Sequence, residues 1–221
     1  MLVLAFDTAT PAVTAALHDG SRVLAESTTV DARRHGELLI PSVQAILREA
    51  GAALGDVTAI VAGTGPGPYT GLRVGLVTAQ ALSSASGAPA YGVCTLDVVA
   101  YASGLSGPFL VATDARRKEL FWARYADMRT RVDGPAVDLP GDLPAELPVV
   151  GAGAEMYAEV LGAGRLVEGA PAYPAAGALA ALAAERLAAG GSGDSVLTTP
   201  RPIYLRRPDA RVPGPPKRVT A

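Results

Sequence analysis

Short apolar segments separated by turn residues open the chain. Apolar runs at residues 2–6, 12–17 and 22–29 predict a three-stranded meander. The dipeptide Asp19-Gly20 stands between the last two runs, and it is typical of a tight hairpin because both central positions of such a turn need positive φ. The chain therefore begins with three neighbouring strands.

A helix and two strand–helix pairs follow the meander. Apolar residues from Leu39 to Ala50 recur at helical spacing, and Pro41 among them should bend the helix or mark a late start. The later elements are a strand covered on both faces, a helix, a strand, and a helix that Thr95 can cap. They are predicted at residues 57–62, 72–86, 90–93 and 95–103. The order β-β-β-α-β-α-β-α predicts an α/β lobe over residues 1–105.

The strand-turn-strand pattern restarts after a Gly/Pro-rich linker at residues 104–108. Strands predicted at 109–113 and 119–125 enclose a turn with Asp114, much as Asp7 ends the first strand of the chain. This correspondence predicts a second lobe made by internal duplication. The rest of that lobe should be a Pro/Gly-rich loop, a short strand and two helices, at residues 132–148, 149–150, 154–161 and 175–189.

The predicted organisation is thus a first lobe at 1–105, a truncated second lobe at 106–199 and a tail at 200–221. The tail holds six prolines and six basic residues, so we expect it to be extended or disordered, apart from a short extended piece at 203–205. Its arginines could touch RNA phosphates, but Tyr204 has no further aromatic residue interleaved with them, and this favours a solvated tail.

Composition narrows the class of protein. Hydrophobic residues make up 49% of the 221 residues, which excludes general disorder, and a net charge of −2 excludes attraction of the whole surface to a polyanion. Cys94 has no second cysteine with which to form an internal disulfide. The sequence shows neither a signal peptide nor an apolar run long enough for a membrane span. We therefore expect a cytoplasmic protein without membrane contact.

Residue types needed for metal or nucleophilic catalysis are scarce. The two histidines, His18 and His35, do not form a His-x-x-x-His pair. Cys94 has no neighbouring base and is more typical of a buried, inert thiol. No Gly-x-Ser-x-Gly elbow is present. We predict no catalytic residue and no metal site.

Two features could instead bind a nucleotide. The glycine-rich loop from Gly63 to Gly71 could bring backbone N–H groups to a phosphate, or it could be a rigid turn that sets a strand against a tightly packed helix, with Gly75 allowing close approach. Asp7 and Asp114 could face one cleft and hold Mg²⁺ through water, or they could simply be turn residues. Both alternatives stay open at this point.

The run Gly-Pro-Gly-Pro-Tyr-Thr-Gly-Leu-Arg-Val-Gly at residues 65–75 resembles the TsaB (YeaZ) family, which usually has Ser and Phe at the fourth and fifth of these positions. Further blocks resemble the same family in its own order along the chain. They are Phe6-Asp7-Thr8-Ala9-Thr10, Arg34-His35-Gly36-Glu37, Asp114-Ala115-Arg116-Arg117-Lys118-Glu119 and Pro202-Ile203-Tyr204-Leu205-Arg206.

The resemblance implies a two-lobed actin/Hsp70/sugar-kinase-like (ASKHA) α/β fold, with duplicated RNase H-like units and a truncated second lobe. It also implies a non-catalytic subunit that works with the catalytic paralogue TsaD and the ATPase TsaE. Together they place a threonylcarbamoyl group on N6 of the adenosine following the anticodon, in tRNAs that read A-starting codons. No cofactor of its own is expected, although weak ATP or ADP binding in the complex is allowed. Expected positions in a nucleotide cleft are Asp7, Thr8, Thr10, Asp114 and Arg116.

The resemblance further implies that this chain pairs with TsaD, or with itself when alone, through the helices at 35–50 and 71–86 as half of a four-helix bundle. tRNA would be bound only within the complex. The expected contact residues are Leu39, Val43, Ile46, Leu47, Leu72, Leu76, Ala79 and Leu82. The alternative is that all of them belong to the core of the single chain. Two other functions were considered: a self-sufficient small kinase of the same fold, and a glycoprotease-type metallopeptidase, which the histidine content argues against.

Overall fold

The computed structural model describes residues 1–190 and 196–206. The first half of the chain forms eight regular elements in the order β-β-β-α-β-α-β-α. They are β1 (Val3–Asp7), β2 (Ala12–His18), β3 (Val23–Val30), α1 (His35–Glu49), β4 (Ala59–Gly63), α2 (Tyr69–Ser86), β5 (Ala90–Val93) and α3 (Thr95–Ser103). This order confirms the predicted α/β lobe, and the helix from residue 35 continues through Pro41.

The second half repeats the beginning of that order and then departs from it. Its elements are β6 (Phe109–Asp114), β7 (Leu120–Asp127), β8 (Thr130–Asp138), β9 (Val149–Val150), α4 (Ala152–Met156), α5 (Ala158–Leu161) and α6 (Ala176–Ala188). The predicted loop at 132–148 is wrong over its first part, where β8 lies. The helix predicted at 154–161 is two short helices that meet at Tyr157.

The two sheets have corresponding strand orders, β3-β2-β1-β4-β5 and β8-β7-β6-β9. In each sheet the first strand of the unit pairs antiparallel with the second and parallel with the fourth. Asp7 pairs with Thr14 across the first hairpin, and Asp114 pairs with Leu120 across the second. This shared topology confirms the α/β fold with two duplicated, ASKHA-like units, the second of which is shorter.

Helices cover both faces of the first sheet. On one face, α1 and α2 pack against side chains of β1, β2 and β4, and together they form an apolar core. On the other face lies α6, packed against β1, β2 and α3. The sequence boundaries put α6 in the second lobe, whereas in space it completes the first one. Gly177 marks this contact, since its N–H donates to Glu26 of β3 at 2.9 Å.

The last described segment runs back along the first lobe. Gly92 forms a β-bridge with Thr198, and the N–H of Ile203 donates to the carbonyl oxygen of Thr64 at 2.9 Å. The predicted extended piece at 203–205 has no assigned strand, but Ile203 is held by that bond. The rest of the predicted tail, residues 207–221, lies outside the described residues.

Candidate functional site: a glycine-tethered turn and a basic cavity

Asp7 and Asp114 end equivalent strands and form the same local turn. The Oδ1 atom of Asp7 accepts the N–H of Ala9 at 2.7 Å, and the Oδ1 atom of Asp114 accepts the N–H of Arg116 at 2.8 Å. An aspartate that accepts the N–H two residues later stabilises a turn. The turn-forming role proposed for these residues is therefore present at both positions.

The surroundings of the two carboxylates differ. Asp7 is buried, and its Oδ2 atom accepts a hydrogen bond from the Thr95 hydroxyl at 2.6 Å. Burial raises the pKa of Asp7 to about 6, although the bonds from Thr95 and Ala9 act in the opposite direction. Asp114 is half-buried and forms an ion pair with Arg116 at 3.5 Å. The prediction that Thr95 caps α3 is wrong, because the N-cap residue of this helix is Cys94.

Glycines in the loop at residues 63–71 and in α2 allow the helix to touch the first hairpin turn. A Cβ atom at Gly67 would lie 2.0 Å from the carbonyl oxygen of Ala9, and one at Gly75 would lie 2.6 Å from the Thr8 hydroxyl oxygen. That hydroxyl donates to the carbonyl oxygen of Gly71 at 2.7 Å and accepts the N–H of Gly75 at 3.0 Å. The close approach predicted for Gly75 is confirmed, because the absence of a side chain lets this residue lie against the Thr8 hydroxyl.

A cavity of about 210 Å³ opens beside this contact. It is lined by both hairpin-turn threonines, Thr8 and Thr10, by the beginnings of α1 and α2, and by Arg33 and Arg116. His35 lies at its wall and places Nε2 2.8 Å from the carbonyl oxygen of Thr10. Three of the five expected cleft residues therefore share one cavity. Asp7 and Asp114 are not among its lining residues.

The eight expected partner-contact residues occupy the inner faces of their helices. Seven of them, Leu39, Val43, Ile46, Leu47, Leu72, Leu76 and Ala79, are buried in the first core of the single chain, and Leu82 is half-buried against it. The reason is that a sheet face and a neighbouring helix both have to be covered, which needs a wider apolar band than one stripe. In the single chain these positions therefore belong to the core, and their expected role in partner contact stays a prediction.

The outer faces of the same helices carry apolar residues that the sequence pattern did not single out. Ile40 on α1 is 39% exposed and Val77 on α2 is 61% exposed. Neither fits the inner stripe, since each follows directly after a buried leucine, Leu39 or Leu76. A helical-wheel projection of the sequence could have found these residues, because it shows which apolar side chains lie outside the inner stripe.

A buried polar network, also missed by sequence reasoning, joins the two lobes. The Tyr125 hydroxyl of β7 donates to Oδ1 of Asp97 in α3 at 2.7 Å, and Arg131 of β8 pairs with the same oxygen at 3.2 Å. Burial raises the pKa of Asp97, while Arg131 lowers it. Burial also raises the pKa of the neighbouring Cys94 thiol to about 12, so this thiol is protonated at neutral pH.

Two other kinds of site are absent from the ranges that the structure describes. There, no group of three or more His, Cys, Asp or Glu side chains is arranged to hold a metal ion. No helix in the same ranges is both long enough and apolar enough to cross a membrane.

Comparison with known proteins identifies the family. Residues 22–168 match the family model of TsaD, the tRNA N6-adenosine threonylcarbamoyltransferase. A Mycobacterium bovis protein is 43% identical over 217 residues, covering 95% of this chain and 93% of its own. The Escherichia coli tRNA threonylcarbamoyladenosine biosynthesis protein TsaB is 38% identical over 128 residues, covering 57% of this chain and 55% of its own.

The solved structures agree with the sequence matches. YeaZ from Pseudomonas aeruginosa superposes with a TM-score of 0.77 at 28% identity, covering 92% of this chain and 99% of the YeaZ chain. The match therefore includes both lobes. The two sheets, the glycine-tethered turn and these similarities together show that the chain belongs to the TsaB (YeaZ) family, within the wider group that the TsaD model describes.

Proposed function

We propose that this chain is a non-catalytic subunit in the formation of N6-threonylcarbamoyladenosine in tRNA. In that role it supports a TsaD-type subunit, with a TsaE-type ATPase, in transferring a threonylcarbamoyl group to the adenosine following the anticodon of tRNAs that read A-starting codons. Relatives named for this biosynthesis support the proposal, as does the TsaD-type model over residues 22–168. The site of action would be the cytoplasm.

The burial of Asp7 favours a non-catalytic subunit over a self-sufficient kinase. A kinase of this fold needs an open carboxylate in its cleft to hold Mg²⁺ with the nucleotide. Both Asp7 oxygens are occupied, one by Ala9 and one by Thr95, and the side chain has almost no contact with solvent. A metallopeptidase is disfavoured by the sequence itself, because His18 and His35 do not form a His-x-x-x-His pair.

Reconstitution of the modification tests this proposal. TsaD-type and TsaE-type proteins, tRNA and threonylcarbamoyl-adenylate are combined with and without this chain, and the modified nucleoside is measured by mass spectrometry. We expect modification only when the chain is present, and none from the chain by itself. Equal modification without the chain, or transfer by the chain alone, would contradict the proposal.

The outer face of α1 and α2 is the proposed surface for the TsaD-type partner, and for a second copy when the chain is alone. Ile40 and Val77 give this face exposed apolar side chains on adjacent helices. The matched pair Val77→Asp and Leu76→Asp tests it, because Val77 is 61% exposed whereas its neighbour Leu76 is buried in the core of the chain. We expect the first variant to remain folded but lose its partner, and the second to unfold. A folded Val77→Asp variant that still binds its partner would remove this surface.

The cavity beside the hairpin turn is the proposed site for weak ATP or ADP binding within the complex. Arg33 and Arg116 supply positive charge there, and Thr8 and Thr10 supply its floor. Titration of the complex with ATP, comparing Arg116→Gln with the wild type, should show weaker binding for the variant. Unchanged affinity would place the nucleotide elsewhere.

A further inference from the structure

Two exposed tyrosines from distant parts of the sequence stack on each other at the start of α2. The rings of Tyr69 and Tyr204 have centroids 5.5 Å apart and planes inclined by 28°. The Arg73 guanidinium lies over the Tyr69 ring, 4.0 Å from its centroid. Each tyrosine is 48% exposed. We call Tyr69, Arg73 and Tyr204 the tyrosine platform.

The stack is not needed to hold the final described segment in place. Ile203, directly before Tyr204, is bonded to Thr64, and the Arg206 guanidinium donates to the carbonyl oxygen of Ala115 at 2.8 Å. The segment is therefore anchored on both sides of Tyr204. If the two rings served only to fix this segment, most of their surface would be buried. Instead, about half of each tyrosine is exposed to solvent.

The platform lies next to a cavity lined by two arginines, of which Arg116 is paired with Asp114. The cavity that contains Arg33 and Arg116 is lined by Pro68 and Thr70, the two neighbours of Tyr69 in sequence. No carboxylate lines that cavity. Within the part of the chain that the structure describes, neither Arg33 nor Arg73 forms an ion pair with an acidic side chain. Exposed aromatic rings beside unpaired arginines are the usual features of a surface that binds unpaired nucleotides.

We propose that the tyrosine platform binds single-stranded RNA directly, with an unpaired base stacked on the face of Tyr204 that Tyr69 does not cover and an adjacent phosphate at Arg73. The sequence could not reveal this platform, because Tyr204 has no aromatic neighbour and Tyr69 is 135 positions away. This inference rests on the proposed function for the identity of the RNA, which would be the anticodon loop of a tRNA. Its chemistry alone requires only an unpaired, negatively charged strand.

RNA binding is measured by fluorescence anisotropy with a labelled anticodon stem-loop, using the full chain alone and in complex with its TsaD-type partner. We expect Tyr204→Leu to weaken binding by about 5- to 150-fold, the range typical for loss of one stacked base. Tyr69→Leu removes the ring on which Tyr204 is stacked and should weaken binding as well. Tyr204→Phe keeps the ring and should stay within about twofold of the wild type. Circular dichroism checks that each variant is folded.

Charge is tested with a matched pair of variants. In a plot of log affinity against log salt concentration, Arg73→Gln should make the slope shallower by the amount expected for the loss of about one phosphate contact. Arg48→Gln removes the same charge from an exposed position in the last turn of α1 and should leave the slope unchanged. Equal effects of the two variants would mean that only net charge matters, which overturns the platform.

Three other outcomes also overturn the inference. They are absence of RNA binding both by the chain and by the complex, tyrosine variants that bind RNA normally but lose the TsaD-type partner, and full displacement of the RNA by an equal concentration of ATP. The second outcome would make the platform a protein-binding surface, and the third a nucleotide site.

Cells depleted of the chain separate this inference from the proposed function. If depletion lowers tRNA modification and the Tyr204→Leu variant restores it fully, the platform fails while the proposed function stands. If depletion leaves the modification unchanged, the proposed function fails, and RNA binding is then judged by anisotropy alone.

Discussion

Replacing Thr95 by valine tests the contact that fixes α3 to the first sheet. The Thr95 hydroxyl donates to Asp7 at 2.6 Å and accepts the N–H of Gly65 at 3.0 Å, and the side chain is fully buried. Valine keeps the branched shape and nearly the same volume, so the variant removes mainly the two hydrogen bonds. A lost bond to a charged group and an orphaned N–H together cost about 4 kcal/mol at neutral pH.

The cost should depend on pH. Burial raises the pKa of Asp7 from its ordinary value of 3.8 to about 6, so the native chain holds this proton more tightly than the unfolded chain does. The contribution of Asp7 to stability is therefore fully present below about pH 4 and is lost as the pH rises through about 6, a total of about 3 kcal/mol. Removing the Thr95 donor leaves the carboxylate less stabilised, which raises the pKa of Asp7 further. The difference between the variant and the wild type should thus grow with pH.

Urea unfolding followed by circular dichroism, at about pH 4.5 and about pH 8, measures both effects. Thr95→Ser is the matched control, because it keeps the hydroxyl and loses only a methyl group, which costs about 1 kcal/mol. We expect the valine variant to be clearly less stable than the serine variant at the higher pH and closer to it at the lower pH. Equal free energies of unfolding for the two variants at about pH 8 would refute the role given to the Thr95–Asp7 bond.

Other contacts give predictions that the same unfolding assay can check. Gly67→Ala places a Cβ atom 2.0 Å from a backbone carbonyl oxygen and should cost about 3 kcal/mol, whereas Gly55→Ala, where the new atom meets nothing within 4 Å, should cost almost nothing. Arg131→Met should cost about 2 kcal/mol, and more at high pH, because it removes the cation that lowers the pKa of buried Asp97. Glu185→Gln breaks an ion pair whose side chains are both more than 40% exposed, so its cost should stay below about 1 kcal/mol.

The order of elements in the first lobe was predictable because its apolar periods are regular and its turns are marked by Gly, Asp and Pro. The strand β8 was not predictable, since Gly134 and Pro135 in its middle are typical of a loop. Proline lacks the N–H that an inner strand needs, but β8 lies at the edge of the second sheet, where one side of the strand needs no partner. Edge position is a property of the tertiary fold, and one sequence does not contain it in readable form.

The candidate site was only partly predictable for a similar reason. Asp7 and Asp114 could be located because each ends a predicted strand, and the family resemblance added Thr8, Thr10 and Arg116, which the structure brings to one cavity. The Thr95–Asp7 bond and the Tyr69–Tyr204 stack each join residues far apart in sequence, through the packing of α3 and of the final segment. Apolar periodicity predicted the amphipathic helices correctly. It did not distinguish an inner face that covers a sheet from an outer face exposed to solvent.

The truncation of the second lobe explains why its aspartate is more open than that of the first. Asp7 and Asp114 have the same strand-end position and the same turn, yet only Asp7 is sealed. The residue that seals it, Thr95, begins the helix that follows β5. In the described part of the second lobe the sheet ends at β9, and that part has no counterpart of β5 and its following helix. Asp114 therefore has no such helix against it in the described residues, and its carboxylate pairs with the exposed Arg116. The same aspartate turn is thus sealed by a helix residue in the first lobe and is partly exposed and paired with an arginine in the second.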